Sequence, residues 1–396
     1  MGTLNEQARP RLAYIDNLRW TVIIMVVLVH ASVTYSGLGS WFYKEPSTLD
    51  SISTLTFAFY ESFSQAFFMG ILFFVAATFV PGSYDRKGFG RFVADRLVRL
   101  GVPVLIFMLV LDPFIRLMME LSAGGRPALS TVASRYASVI TSGHVLERTG
   151  PLWFALALLV FSILYALARL VLSRAASTRA TEHRSSRRLS TRSIHLAAIA
   201  LVAIIAAGSF FVRLVQPFGT AVLNMQLCFF PQYIILFLVG LWAGRKAFLQ
   251  SIPASVGWSW LKLAFAVGVP AWFLLFGAGR SPHVQGLEYF FGGWHWQAAG
   301  YAAWEAFFAV SISLGLIVLF REKANTPAPV TSFLSRTSFG VYSFHAPILV
   351  AVSLALQAVA LYPLAKAGLA AAIAFAASLV VAGLVRRVPG LGHIFS

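Results

Sequence analysis

Ten stretches of 18 to 24 residues carry almost no charge, and they fill most of the chain. They fall at about 17–37, 57–80, 98–119, 151–172, 194–215, 226–243, 256–276, 298–320, 338–361 and 367–385. A helix of about 20 apolar residues spans a hydrocarbon core of ~30 Å. Backbone polar groups in lipid must be satisfied within the spanning element, which leaves helices as the solution for runs this long. The expectation is an all-α polytopic membrane protein of about ten helices, with one domain over 1–396. The composition agrees: 58% of residues are hydrophobic, 11% are charged and the mean hydropathy is +0.77. The first run carries Asp16 and Arg19 and lacks a small-residue exit, so it reads as an anchor rather than a cleaved leader.

The net charge of +17 would suggest nucleic acid in a soluble chain. Here its distribution explains it. With the N-terminus inside, Arg9, Arg11, Arg19, Arg86, Lys87, Arg91, Arg96, Arg99 and the run from Arg169 to Arg192 lie on one side. Arg245, Lys246, Arg321, Lys323, Arg336, Arg386 and Arg387 join them. That places about 22 of the 31 Lys and Arg on the cytoplasmic side, with about eight outside and Lys262 within the seventh run. Both termini are therefore expected in the cytoplasm of a bacterial inner-membrane protein, with lipid and not nucleic acid as neighbour. The Ser-, Thr- and Arg-rich stretch 173–193 reads as a flexible cytoplasmic linker near anionic lipid. The single cysteine, Cys228, excludes a disulfide framework and a multi-cysteine zinc site. No P-loop, dinucleotide fingerprint, His-Glu-x-x-His pair or Gly-x-Ser-x-Gly elbow is present.

Ionisable residues within the apolar runs are the functional suspects. Arg19 and His30 are eleven residues apart, which returns them to nearly one helix face. Their axial offset is ~16 Å, about half a hydrocarbon core. Snorkelling of Arg19 and an interhelical bond of His30 are the packing alternatives. Arg96 and Arg99 share a face at the inner edge, where paired guanidinium groups suit phosphates; plain topological anchoring is the alternative. The acids Glu61, Asp112 and Glu305 fall toward the outer half, as His30 does. Such an acid can orient an imidazole, or can pair with Arg116 or Arg213 for packing. Glu305, alone in an uncharged run, reads as the functional one. His345, in Tyr342-Ser343-Phe344-His345-Ala346-Pro347, is expected near the inner half, and Pro347 opens the helix backbone there.

With these residues assembled, the chain resembles the membrane acyltransferase 3 family over nearly its whole length. The resemblance rests on Arg19-x10-His30 with its Ile15-Asp16-Asn17-Leu18 lead-in. It rests equally on Phe92-x3-Arg96-x2-Arg99, on the Phe67-Phe68-Met69-Gly70 helix, on Gly150-Pro151-Leu152-Trp153-Phe154, and on Ser338-Phe339-Gly340-Val341-Tyr342-Ser343-Phe344-His345. Ala76-Ala77-Thr78 stands where the family commonly has Ser-Gly. The texture is closest to the glucan biosynthesis protein C-like branch.

The resemblance implies O-acyl transfer from cytoplasmic acyl-CoA to a hydroxyl of an extracytoplasmic or lipid-linked carbohydrate, with glucan succinylation or acetylation as examples. Acyl-CoA is then a cosubstrate, and no permanently bound cofactor or metal is expected. On this reading Arg19, Arg96 and Arg99 hold the phosphates of coenzyme A. His30 is general base or carries an acyl-histidine. Its ordinary pKa of ~6.5 suits the first role. Glu305 orients His30 or binds sugar. Asp16, Glu61, Asp112, Trp153, Tyr342 and His345 bind substrate or hold the site. The competing reading is a proton-coupled transporter or exporter using Glu61, Asp112, Glu305 and His30 as a relay. Its usual inverted repeats are not detected in the sequence.

Overall fold

The computed structural model describes residues 12–46, 48–175, 190–246, 248–279 and 287–395. Most of the linker expected at 173–193, with its Arg184 to Arg188 run, lies outside the described residues, as do Arg9 and Arg11. Among the described residues there are helices and no strands, and nine continuous helical stretches are long and apolar enough to cross a membrane. One of these, Ser51–Ser122, has 72 residues. Straight, it would reach over ~100 Å at 1.5 Å per residue, several bilayer cores. It is not straight: Gly88 has φ 69° and ψ 174°, and the chain doubles back there. Tyr84 and Phe92 rings meet at 5.6 Å, and Lys87 Nζ reaches Asp95 at 2.9 Å. Both pairs are eight residues apart, which would be ~12 Å along an unbroken helix.

The two arms, 51–87 (α2) and 89–122 (α3), follow α1 (Ala13–Ser36). After the short α4 (Leu129–Thr141) come α5 (Trp153–Ala175), α6 (Thr191–Arg213), α7 (Phe230–Lys246) and α8 (Ala254–Gly279). The set closes with α9 (Trp296–Lys323), α10 (Pro329–Ala355), α11 (Pro363–Val385) and the short α12 (Leu391–Ile394). Counting both arms separately, the described residues hold ten helices long enough to cross a membrane.

The helices are not equivalent. In its most apolar window α9 is 67% buried, and α1 and α10 are each 61% buried, whereas α8 is 17% buried. The protein therefore has an inner group of α1, α2, α9 and α10, with α6, α8 and α11 facing lipid. The tightest pairing is α2 against α7. A Cβ on Gly240 would strike the Phe74 carbonyl, and one on Gly244 the Thr78 carbonyl. In lipid, where apolar area gives no drive, such close backbone approach supplies the packing. Gln232 Nε2 closes the same interface by donating to the Ala66 carbonyl at 2.9 Å.

The connections define two faces. One holds the start of α1, the Gly88 turn, the loop between α9 and α10, and α12. Asn17 Nδ2 donates to the Ala324 carbonyl there at 2.7 Å, and Arg99 meets His393 at 3.4 Å. This is the arginine-rich face of the sequence. The other holds the α1–α2 loop, α4, and the loops before α5, α7 and α9. Trp294 and Trp296 sit there 76% and 57% exposed, as an interfacial belt would.

Candidate active site

α1 runs from the basic face to the cavity face and ends on Gly37, whose φ of 70° closes the last turn. His30 lies less than two turns before that end. His345 on α10 lies beside it, with Nδ1 of His30 and Nε2 of His345 2.8 Å apart and the rings nearly parallel. α10 begins at Pro329, nine residues before the expected start at 338. The first helical position suits proline, and Thr331 supports the turn by accepting from the Ala328 N–H at 3.2 Å. His345 is consequently ~24 Å along its helix, past the midpoint of Pro329–Ala355 rather than near its start.

Hydrogen bonds fix how the two imidazoles share protons. His345 Nδ1 is 2.8 Å from the Tyr342 carbonyl, which only accepts. Nδ1 of His345 therefore carries hydrogen and its Nε2, in the neutral ring, accepts. His30 must donate from Nδ1, and its Nε2 is left with a free lone pair. Trp41, from the α1–α2 loop, stacks on a face of the His30 ring at 3.9 Å and 13°. That loop is fastened by Lys366 Nζ to Glu45 at 2.6 Å and by Lys44 Nζ to the Gly37 and Gly39 carbonyls at 3.1 and 2.6 Å.

His30 lines a cavity of about 1490 Å³ that opens at the cavity face. Its walls are rich in aromatic rings, among them Trp41, Trp153, Tyr233, Trp272, Tyr301 and Tyr342. Glu61 faces it from α2, with Oε1 accepting from Ser32 at 2.6 Å and Ser36 at 2.8 Å. Two sequence motifs meet in the wall: the Tyr342 hydroxyl donates to the Pro151 carbonyl, and Trp153 stacks near Tyr233 at 5.7 Å.

The other acids are engaged elsewhere. Glu305 does not reach His30 by a hydrogen bond. It forms a fully buried pair with Arg213 at 2.5 Å, and Arg213 lies between the Phe229 and Tyr301 rings at 5.5 Å from each. The orienting partner of His30 is His345, where the sequence suggested Glu305. Asp112, 1% exposed, holds Arg116 and Arg148. Both follow the packing alternative, because a lone carboxylate in this setting is far costlier than a paired one.

At the basic face, Arg19 donates to the Ser335 carbonyl at 3.1 Å and hydroxyl at 3.3 Å, with Asp16 3.6 Å away. Arg99 pairs with Asp95 at 3.2 Å. Arg96 lies over the Phe92 ring at 5.0 Å, and its buried Nε has no hydrogen-bond partner among the described residues. The cavity descends along α1 only to Val26, seven residues from Arg19. About 10 Å of packed helix separates the two ends of the site.

Trp41 and Lys366 escaped the sequence reading. Trp41 sits in a polar loop with no periodicity to place it. Lys366 follows Pro363 at the start of a span and looks like ordinary interfacial charge.

A multi-pass membrane protein with a paired imidazole on a deep cavity at one face and arginines at the other is built as a membrane transferase. The chain belongs to the membrane acyltransferase 3 family: the family's acyltransferase domain matches residues 12–387, nearly the whole chain, and makes the protein an O-acyltransferase. No curated protein and no solved structure matches it.

Proposed function

We propose that the protein moves an acyl group from acyl-CoA, bound at the basic face, to a hydroxyl of a carbohydrate held in the cavity at the opposite face. The basic face is cytoplasmic in this reading, as the positive-inside bias of the sequence requires, and the membrane is a bacterial inner membrane. The observation that carries the proposal is the free Nε2 of His30, aimed by His345 and placed on the cavity wall.

Arg19, Arg96 and Arg99 supply positive charge for the phosphates of coenzyme A. The pantetheine arm then carries the thioester between helices toward His30, which requires the ~10 Å of packing below Val26 to part. His30 Nε2 takes the acceptor hydroxyl proton as the new C–O bond forms and the C–S bond breaks. The resulting imidazolium returns that proton to the departing thiolate. Glu61, with Oε1 held by two serines, orients acceptor hydroxyls through Oε2. The aromatic walls suit the apolar faces of sugar rings. Succinyl or acetyl transfer to a glucan is one instance of this chemistry.

The transporter reading loses two members of its relay, because Asp112 and Glu305 are each committed to arginine. The test of the acyltransferase reading uses protein in liposomes with a panel of labelled acyl-CoA donors and candidate glycans. We expect coenzyme A release with one donor, loss of release in His30→Ala, and donor binding retained in that variant. Turnover by His30→Ala removes the histidine from the reaction. Counterflow of solute without any donor dependence restores the transporter.

A further inference from the structure

Asp112 is buried in α3 and accepts through a single oxygen, Oδ2, from two arginines: Arg116 Nε at 2.8 Å and Arg148 Nη1 at 3.4 Å. One carboxylate thus faces two guanidinium groups, and the trio keeps a net positive charge. Arg148 is largely covered, but Arg116 is 51% exposed and lines the same cavity as His30. A guanidinium has two edges able to grip an oxyanion, one through Nε and one through the two terminal nitrogens. Asp112 occupies the first. The terminal nitrogens of Arg116 have no partner among the described residues. The carboxylate therefore fixes the orientation of the side chain and leaves its second fork free at the cavity.

We propose that Arg116 is an anion-recognition residue of the cavity, and that the acceptor bears a carboxylate or phosphate group. Arg116 on α3 takes that group, and the hydroxyl end of the molecule is left toward His30. A guanidinium pre-set in this way grips a carboxylate or phosphate more strongly than a neutral hydroxyl. The inference names the occupant through the acyl-transfer reading, but its test needs no donor.

Protein in phosphatidylcholine nanodiscs is titrated calorimetrically with two matched pairs: phenyl glucuronide against phenyl glucoside, and glucose 6-phosphate against glucose. We expect the anionic member of at least one pair to bind about tenfold tighter, as a charge-assisted fork does over a neutral contact. Arg116→Gln erases that preference, and Arg116→Lys keeps only part of it. Arg135→Gln, which alters an exposed pair with Glu120, leaves it unchanged. Equal affinity within both pairs, no binding by any of the four, or a preference that survives Arg116→Gln overturns the proposal. So does a preference that disappears when phosphatidylglycerol enters the bilayer, since a lipid headgroup is then the occupant. A His30→Ala protein that keeps the preference but transfers nothing separates this inference from the catalytic one.

Discussion

The imidazole pair at His30 and His345 works through proton placement. A backbone carbonyl can only accept, so the Tyr342 oxygen dictates the tautomer of His345, and His345 dictates that of His30. His345 is thus a positioning residue. His345→Ala should lower kcat by about 10²-fold or more, within the range of general-base effects, with little change in donor KM. Gln at 345 should recover part of the loss, because its side-chain oxygen can accept from His30 Nδ1. Equal defects in kcat and donor affinity would point instead to a collapsed cavity. Glu305 belongs to a different argument. Breaking its buried pair with Arg213 should cost stability of about 3–5 kcal/mol. Glu305→Leu combined with Arg213→Met should recover much of it, read as melting temperature and activity together. The sequence exposed His30 and His345 as ionisable groups inside apolar runs. It did not show that they touch, because 315 residues separate them and only the packing of α1 on α10 joins them.

At the scale of elements, apolar length made nearly every crossing legible, and the departures have local causes. α10 starts early because Pro329 and Thr331 can open a helix in a stretch too polar to count as membrane-spanning. That shift puts His345 past the midpoint of its helix. The α2–α3 hairpin hides its turn inside continuous helical structure, where one glycine replaces a loop. Gly88 combines positive φ with extended ψ, a region that residues with a Cβ rarely enter. Gly88→Ala should therefore cost about 1–3 kcal/mol and loosen the Lys87–Asp95 and Arg169–Asp85 pairs that close the turn, at 2.9 and 3.3 Å. A thermal shift in detergent checks this; an unchanged melting temperature would mean that the turn relaxes freely. The loop from α1 to α2 was legible only as a connection. Its role as the carrier of Trp41 depends on the Glu45–Lys366 latch, which links residues far apart in the chain.

The whole molecule divides its work between two faces. Arginines gather at one, the aromatic cavity opens at the other, and His30 stands where the cavity meets the helix that joins them. Charge bias in the sequence already separated the faces. The cavity was not legible, since it forms from loops and helix ends that meet only when the helices pack together. This division is the central claim, and a sided transfer assay tests it most directly. Protein is placed in liposomes of known orientation with labelled acyl-CoA supplied only to the basic face and a glycan acceptor only to the cavity face. The account predicts labelled glycan and free coenzyme A on opposite sides, both lost in His30→Ala. Label transferred only when donor and acceptor share the cavity face, or transfer that persists without His30, would contradict it.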